Sequence, residues 1–244
     1  MAITFLGTGD AFGAGGRNQA AYLLQASGTS LLLDCGPGTL PALKRAGVDS
    51  EAIDCIFLSH LHGDHFGGLP FLFLQYAYAQ PRQRPLRIVG PPGSEARVRA
   101  LYRTMYESTA GALMPFALEF TEILPSRPLF LEQATVQPFF VPHQENDVSF
   151  GFLVQSDGRR ILYSGDTGWT EDLISLSAET DLFICECSFY ETRMWSHLDY
   201  PRLAENRSLF ETRRLILTHL GSEVLTREDQ LEIELAKDGL RLEF

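Results

Sequence analysis

The chain has 244 residues, of which 45% are hydrophobic and 21% charged, with 17 Phe and 8 Tyr. This much apolar side chain excludes disorder for most of the length. No uncharged apolar run is long enough for a membrane span, and no basic segment precedes an apolar start as in a secretory signal. Lys and Arg total 20 against 31 Asp and Glu, and the net charge of -11 disfavours broad, non-specific nucleic-acid binding while leaving a local site open.

In chain order, Ala2–Leu6 reads as a strand ending at Gly7-Thr8-Gly9-Asp10. Ala20–Gln25 and Ser30–Leu33 read as a hairpin turning at Ser27-Gly28. A helix is expected over Thr39–Arg45 and a buried strand over Cys55–Ser59. A second helix follows Gly68, with Leu69, Leu72, Phe73, Tyr76 and Ala77 at helical spacing, and ends at Pro81. Leu86–Val89 is a strand, and Ser94 reads as the N-cap of a helix reaching Ser108. Strands are expected at Leu118–Glu122, Thr135–Val141, Phe150–Gln155, Arg160–Tyr163, Asp181–Cys185 and Leu215–Leu217, with an Asp157-Gly158 hairpin turn. Helices are expected at Glu171–Leu176, Tyr200–Glu211 and Arg227–Ala236. No linker or repeat divides the chain, so residues 1–244 read as one α/β domain. Strands in hairpins early and alternating with helices later imply two sheets or one mixed sheet covered by helices. The four cysteines, Cys35, Cys55, Cys185 and Cys187, form no CxxC pair and read as buried free thiols in a reducing cytosol.

The six histidines carry the functional signal. Three fall in Ser59-His60-Leu61-His62-Gly63-Asp64-His65, directly after the buried strand. His60 and His62 project to one side of an extended segment, and Asp64 and His65 can face a second point. Imidazole and carboxylate are ligands for zinc and similar ions, and a carboxylate such as Asp64 can also act as a base. His143, Asp166 and His219 each follow an apolar strand as well. Five His and two Asp can fill two adjacent metal sites.

With these residues in this order, the sequence resembles the metallo-β-lactamase-fold hydrolases over essentially its whole length, and within them the phosphodiesterase branch that contains ribonuclease Z. Phe5-Leu6-Gly7-Thr8-Gly9, Arg17-Asn18, Leu33-Asp34-Cys35-Gly36-Pro37-Gly38, Ser164-Gly165-Asp166-Thr167 and Leu217-Thr218-His219 extend the match. The resemblance implies an αββα sandwich with the metal site at one edge of the sheets. It implies His60, His62 and His143 on one divalent ion, Asp64, His65 and His219 on a second, and Asp166 bridging both. The ions are expected to be Zn, with Mn or Fe as alternatives. Asp34 resembles the family's buried carboxylate behind the metal loop. His197 follows Cys185-Glu186-Cys187-Ser188-Phe189, which resembles the segment preceding the catalytic histidine of ribonuclease Z. It is expected to be a general acid or a phosphate contact.

Two departures bear on substrate. The interval His143–Asp166 has room for one hairpin and no tRNA-gripping arm, and Leu220-Gly221-Ser222-Glu223 places a glutamate where an RNA-facing arginine is expected. Arg82, Arg84, Arg87, Arg97, Arg99 and Arg103, with Glu95 as the one acid among them, read as a solvated basic face. The expectation is therefore a cytoplasmic dinuclear metal-dependent hydrolase of small phosphodiesters, with homodimerisation suggested by the family. The alternatives are an armless tRNA 3′-processing endonuclease, a thioester, lactone or ester hydrolase, and a metal-binding protein without turnover.

Overall fold

The computed structural model describes residues 1–110, 114–125 and 127–244. Its strands form two seven-stranded sheets. The first contains β1 (Ala2–Gly7), β2 (Ala21–Ala26), β3 (Thr29–Leu33), β4 (Cys55–Phe57), β5 (Leu86–Gly90) and β6 (Leu118–Glu122) in sequence order. β14 (Arg241–Glu243) returns to pair antiparallel with β1. The second contains β7 (Leu129–Phe130), β8 (Thr135–Phe140), β9 (Phe150–Ser156), β10 (Arg159–Tyr163), β11 (Leu182–Glu186), β12 (Leu215–Thr218) and β13 (Glu234–Leu235).

Alternation along these strands builds three apolar layers. Ile3, Phe5, Tyr22 and Phe57 of the first sheet meet Phe150, Phe152, Tyr163 and Ile184 of the second. The opposite face of the first sheet is covered by α1 (Thr39–Arg45), α3 (Leu69–Leu74) and α4 (Ser94–Met105), through Leu43, Leu72 and Val98. The opposite face of the second is covered by α6 (Asp172–Ser177), α7 (Tyr200–Glu205) and α8 (Ser222–Leu225), through Leu173, Leu203 and Val224. This is the expected αββα sandwich. All four cysteines are free and buried, and among the described residues no helix is long and apolar enough to cross a membrane.

Several expectations are corrected. Arg227–Ala236 is not a helix: a 3-10 turn at Glu228–Gln230 leads into β13, parallel to β12. Leu231, Ile233 and Leu235 alternate with Glu232 and Glu234, a period of two that suits a strand. The helix from Tyr200 stops at Glu205, where Asn206 leaves helical geometry and its side-chain amide donates to the Arg202 carbonyl. Ser94 is the first helical residue and not the cap. Gly93 caps, and the Ser94 hydroxyl donates to the Pro91 carbonyl at 2.6 Å. That helix ends at Met105, where Tyr106 leaves helical geometry and packs edge-on against Phe71; α5 (Glu107–Ala110) follows separately. After Leu74, α3 widens into a π-helical turn, Gln75–Ala79, which keeps Tyr76 on the core side.

The basic stretch is mostly a paired surface, with Arg87 near Glu119, Arg97 near Asp147 and Arg99 bonded to Glu95. Arg82 is the exception, with 0% exposure. Its guanidinium donates to the carbonyls of Glu51, Ile53, Arg84 and Pro85 at 2.8–3.0 Å and lies over the Tyr76 ring. It thereby satisfies the backbone where the chain crosses from the π turn into β5. A lysine ammonium cannot reproduce this planar fork. Arg82→Lys should therefore lower stability by about 3 kcal/mol, through carbonyls left without donors. Arg103→Ala, on the exposed surface, should change it by less than about 0.5 kcal/mol. Denaturant titration of the two variants checks this.

Candidate metal centre

β4, β8, β10 and β12 all end at the same edge of the sandwich, and the residues just past them converge there. β4 is parallel to β3, while β8 is brought into line with β10 through the antiparallel β9 between them. β10, β11 and β12 are mutually parallel. The two sheets are stitched at this edge by Phe150 N–H to the Ser59 carbonyl and Leu220 N–H to the Thr8 carbonyl, both at 2.9 Å. α2 (Gly63–Phe66) turns the metal-type motif sharply after His62.

The seven ligand-type residues fall into two groups whose ligand atoms lie within 4.8 Å of one another: His60, His62 and His143, then Asp64, His65, Asp166 and His219. Asp166 Oδ2 joins them. It lies 3.8 Å from Nε2 of both His60 and His143, 3.1 Å from His65 Nε2 and 3.3 Å from His219 Nε2. Asp64 Oδ2 sits 3.3 Å from Nε2 of both His65 and His219. His62 is exposed at the mouth, whereas His60, His65, His143, Asp166 and His219 are buried.

Neighbouring side chains and one backbone carbonyl fix which ring nitrogen of four histidines faces inward. His65 Nδ1 donates to Asp34 Oδ2 at 2.8 Å, and His143 Nδ1 to the Ser196 carbonyl at 2.9 Å. His60 Nδ1 donates to the Ser59 hydroxyl, which itself donates to Asp34 Oδ2; His219 Nδ1 donates to the Ser188 hydroxyl. In each case the Nε2 lone pair is left for the centre, as in metal sites whose histidines are oriented from behind. His60 Nε2, His65 Nε2 and Asp166 Oδ1 are buried and make no hydrogen bond. Inward lone pairs left without donors are what a cation satisfies, so the donor set fits a divalent metal.

Charge in the cluster follows from burial and proximity. Burial, then the nearby His65, holds the His60 imidazole well below its usual pKa, and burial with His143 lowers His62; both favour the neutral, ligating form. Burial alone would raise Asp64 and Asp166. The histidines around them, His65 and His219 foremost, outweigh it and hold both carboxylates well below the usual range, and the same carboxylates raise His65 and His219 against their burial.

Backbone strain marks the same edge. Asp34 and His219 have φ of 58° and 52°, a left-handed region costly for residues with a Cβ. Gly165 needs its positive φ and its missing side chain: a Cβ there would lie 2.4 Å from the Phe150 carbonyl oxygen.

Asp34 occupies the buried position that the resemblance implies, with 0% exposure. His197 lies beside the centre, edge-on to His143 and stacked on His219. Its Nδ1 donates to Glu186 Oε1 at 2.8 Å. Burial lowers its pKa, but the Glu186 carboxylate outweighs this and raises it to about 9. The sequence reading overlooked Glu186, which also accepts from Thr167 N–H and from the Ser188 hydroxyl. Its signal was an acid at the end of an otherwise apolar buried strand. Glu223, expected to stand where an RNA-facing arginine would, turns to the neighbouring loop and accepts from the backbone of Tyr190, Glu191 and Thr192.

A family profile described as "anti-Pycsar protein Apyc1" matches residues 1–239. The chain belongs to this family. It is also 30% identical, over 269 residues, to the protein named ribonuclease Z of Methanosarcina acetivorans, covering 91% of this chain and 88% of that one. The crystal structure of the short form of human tRNase Z matches with a TM-score of 0.80 and 30% identity, covering 100% of this chain and 99% of that one. The metallo-β-lactamase-fold protein YhfI from Bacillus subtilis also reaches a TM-score of 0.80, at 22% identity, covering 100% and 98%. The family member described here is thus a metal-dependent hydrolase of the metallo-β-lactamase fold, similar to ribonuclease Z.

Asp166→Ala removes an oxygen within 3.8 Å of ring nitrogens from both groups and should lower metal content and activity together, measured by elemental analysis and hydrolysis on the same sample. Asp157→Ala, in the turn between β9 and β10, should leave both unchanged.

Proposed function

We propose that this chain is a dinuclear phosphodiesterase in which His60, His62 and His143 hold one divalent ion, Asp64, His65 and His219 hold the other, and Asp166 is shared. The observation that carries the reading is Asp166 Oδ2, within 3.8 Å of ring nitrogens from both groups. His/Asp donor sets of this kind suit Zn, with Mn or Fe as alternatives. Bound ions supply Lewis-acid charge for phosphoryl oxygens and make hydroxide available near neutral pH. His62 and His197, at the mouth, are the groups a substrate meets first. His197, held beside the centre by its hydrogen bond to Glu186, donates a proton to the leaving oxygen.

The curated relatives are named ribonuclease Z and so support the tRNA 3′-processing alternative better than the small-diester reading. Two features of this chain favour the small diester. β9 and β10 are joined by Asp157-Gly158 alone, which leaves no projecting arm between His143 and Asp166, and the net charge is -11. We infer a small phosphodiester as the preferred substrate. Assays on cyclic nucleotides, short oligonucleotides and precursor tRNA, side by side at moderate salt, decide the matter. The expected result is a higher kcat/KM on a small diester with shallow salt dependence. Binding through many phosphates would instead lose about 10³–10⁵ in affinity between low and moderate salt. Efficient cleavage of precursor tRNA at its 3′ end, weakened when Arg97 and Arg99 are both changed to Ala, establishes the endonuclease reading.

His197→Ala should keep its metals and lose about 10²–10⁴ in kcat, the usual range for positioned proton transfer. The defect should shrink on nitrophenyl diesters, whose leaving group needs no proton. Equal losses on good and poor leaving groups assign His197 to binding.

A further inference from the structure

His197 sits in the segment between β11 and α7, and that segment has no regular secondary structure over most of its length. Something must hold it at a fixed height over the centre. Glu186 and Ser188 secure the histidine ring from the strand side. On the other side the segment meets the turn that follows His219, and the contact is dense. Gly221 lies so close that a Cβ there would be 2.1 Å from the Ser188 carbonyl oxygen. Two residues on, Glu223 presents its carboxylate to the turn at 190–192. Oε2 accepts the N–H groups of Tyr190, Glu191 and Thr192 at 3.0, 2.7 and 3.0 Å, and Oε1 accepts the Thr192 hydroxyl at 2.5 Å. Three successive backbone donors converging on one oxygen form an anion nest, filled here by the protein's own side chain. Arg227 reinforces it, bonding the Glu223 carbonyl and the Glu191 carboxylate and lying over the Tyr190 ring at 4.7 Å.

We propose that Glu223 is a positioning residue for His197, clamping the 190–192 turn so that the His197 ring is held in place beside His143 and His219. Among the described residues the Glu223 carboxylate bonds only to residues 190–192, and so its effect on the His197 ring passes through the backbone of that turn. These hydrogen bonds, with that of the Thr192 hydroxyl the largest contributor, lower the Glu223 pKa to about 2, so the clamp is fully charged wherever the enzyme is assayed. The clamp links two segments that each bring a histidine to the centre, the one after β12 with His219 and the one after β11 with His197.

The proposal rests on the reading of His197 as the proton donor, and the experiment separates the two. Glu223→Ala, His197→Ala and the double variant are prepared as metal-loaded enzyme and assayed on a nitrophenyl diester and on a diester with an alkyl leaving group. Glu223→Ala should lower kcat on the alkyl diester about 10- to 100-fold, the scale of a small misplacement of a catalytic group. It should leave KM and metal content unchanged and cost far less on the nitrophenyl diester. In the His197→Ala background it should cost nothing further. Hydrogen exchange at the amides of residues 190–192 should quicken in the variant. Glu223→Gln, which keeps one acceptor oxygen for those amides, should restore most of the rate, and with Thr192→Val it carries the test if Glu223→Ala does not fold. Losses that are equal on both substrates, or that multiply with His197→Ala, overturn the clamp while leaving His197 as the donor. A His197→Ala enzyme at wild-type rate on both substrates overturns the donor reading and the clamp with it.

Discussion

The Asp34 carboxylate has no solvent exposure and accepts four hydrogen bonds: from the Ser59 backbone at 2.7 Å, the Ser59 hydroxyl at 2.8 Å, His65 Nδ1 at 2.8 Å and the Tyr163 hydroxyl at 2.6 Å. A buried carboxylate is tolerable only when it is this fully bonded. Each donor comes from a segment that matters to the centre. Ser59 precedes His60 and receives its ring N–H, His65 is itself a ligand-type residue, and Tyr163 ends the strand that leads to Asp166. One side chain thus sets the orientation of two imidazoles and the spacing between the two sheets. The left-handed backbone at Asp34 is the local cost of aiming the carboxylate there.

The same logic runs on the other side of the cluster. Glu186 gathers His197, Thr167 and Ser188, and Ser188 passes the contact to His219. Asp34 and Glu186 both stand at strand ends, where the sheet holds the backbone firmly and the side chain can be buried beneath a loop. His60, His65 and His219 are therefore oriented from below by two buried acids, directly or through Ser59 and Ser188, and the cluster reaches solvent at His62 and His197. This division between a rigid floor and a polar mouth suits a hydrolase whose ions must keep open coordination positions.

Much of this was legible in the sequence, for physical reasons. Apolar runs such as Leu31–Leu33, Cys55–Phe57 and Leu215–Leu217 leave little choice but buried strands, and the histidines and aspartates after them mark a common edge. That pattern implies two sheets or one mixed sheet and two adjacent metal sites, while the αββα arrangement and the grouping of the seven residues are what the resemblance implies. Other features were not legible because their signal is shared with ordinary sequence. Glu186 lies between two cysteines at the end of an apolar strand, and nothing nearby shows that His197 will come to it. Arg82 reads as one of many surface arginines until the carbonyls around it are placed. The strand at Glu234–Leu235 was masked by the helix-forming glutamates and leucines of Leu231–Leu235, whose alternation is too short to outweigh composition.

The centre is also divided along the chain. His60, His62, Asp64 and His65 come before the connection between β6 and β7, whereas His143, Asp166 and His219 come after it. Each ligand group draws on both parts, Asp34 meets Tyr163 across the same division, and β14 crosses back to complete the first sheet. A chain opened between β6 and β7 would yield two fragments, each lacking part of both groups and each exposing the inner face of its sheet. Their reassembly would be driven by that apolar face and drawn tighter by divalent ions. An ion held by either group would thus tie the two parts of the chain to each other, as the apolar face between the sheets does.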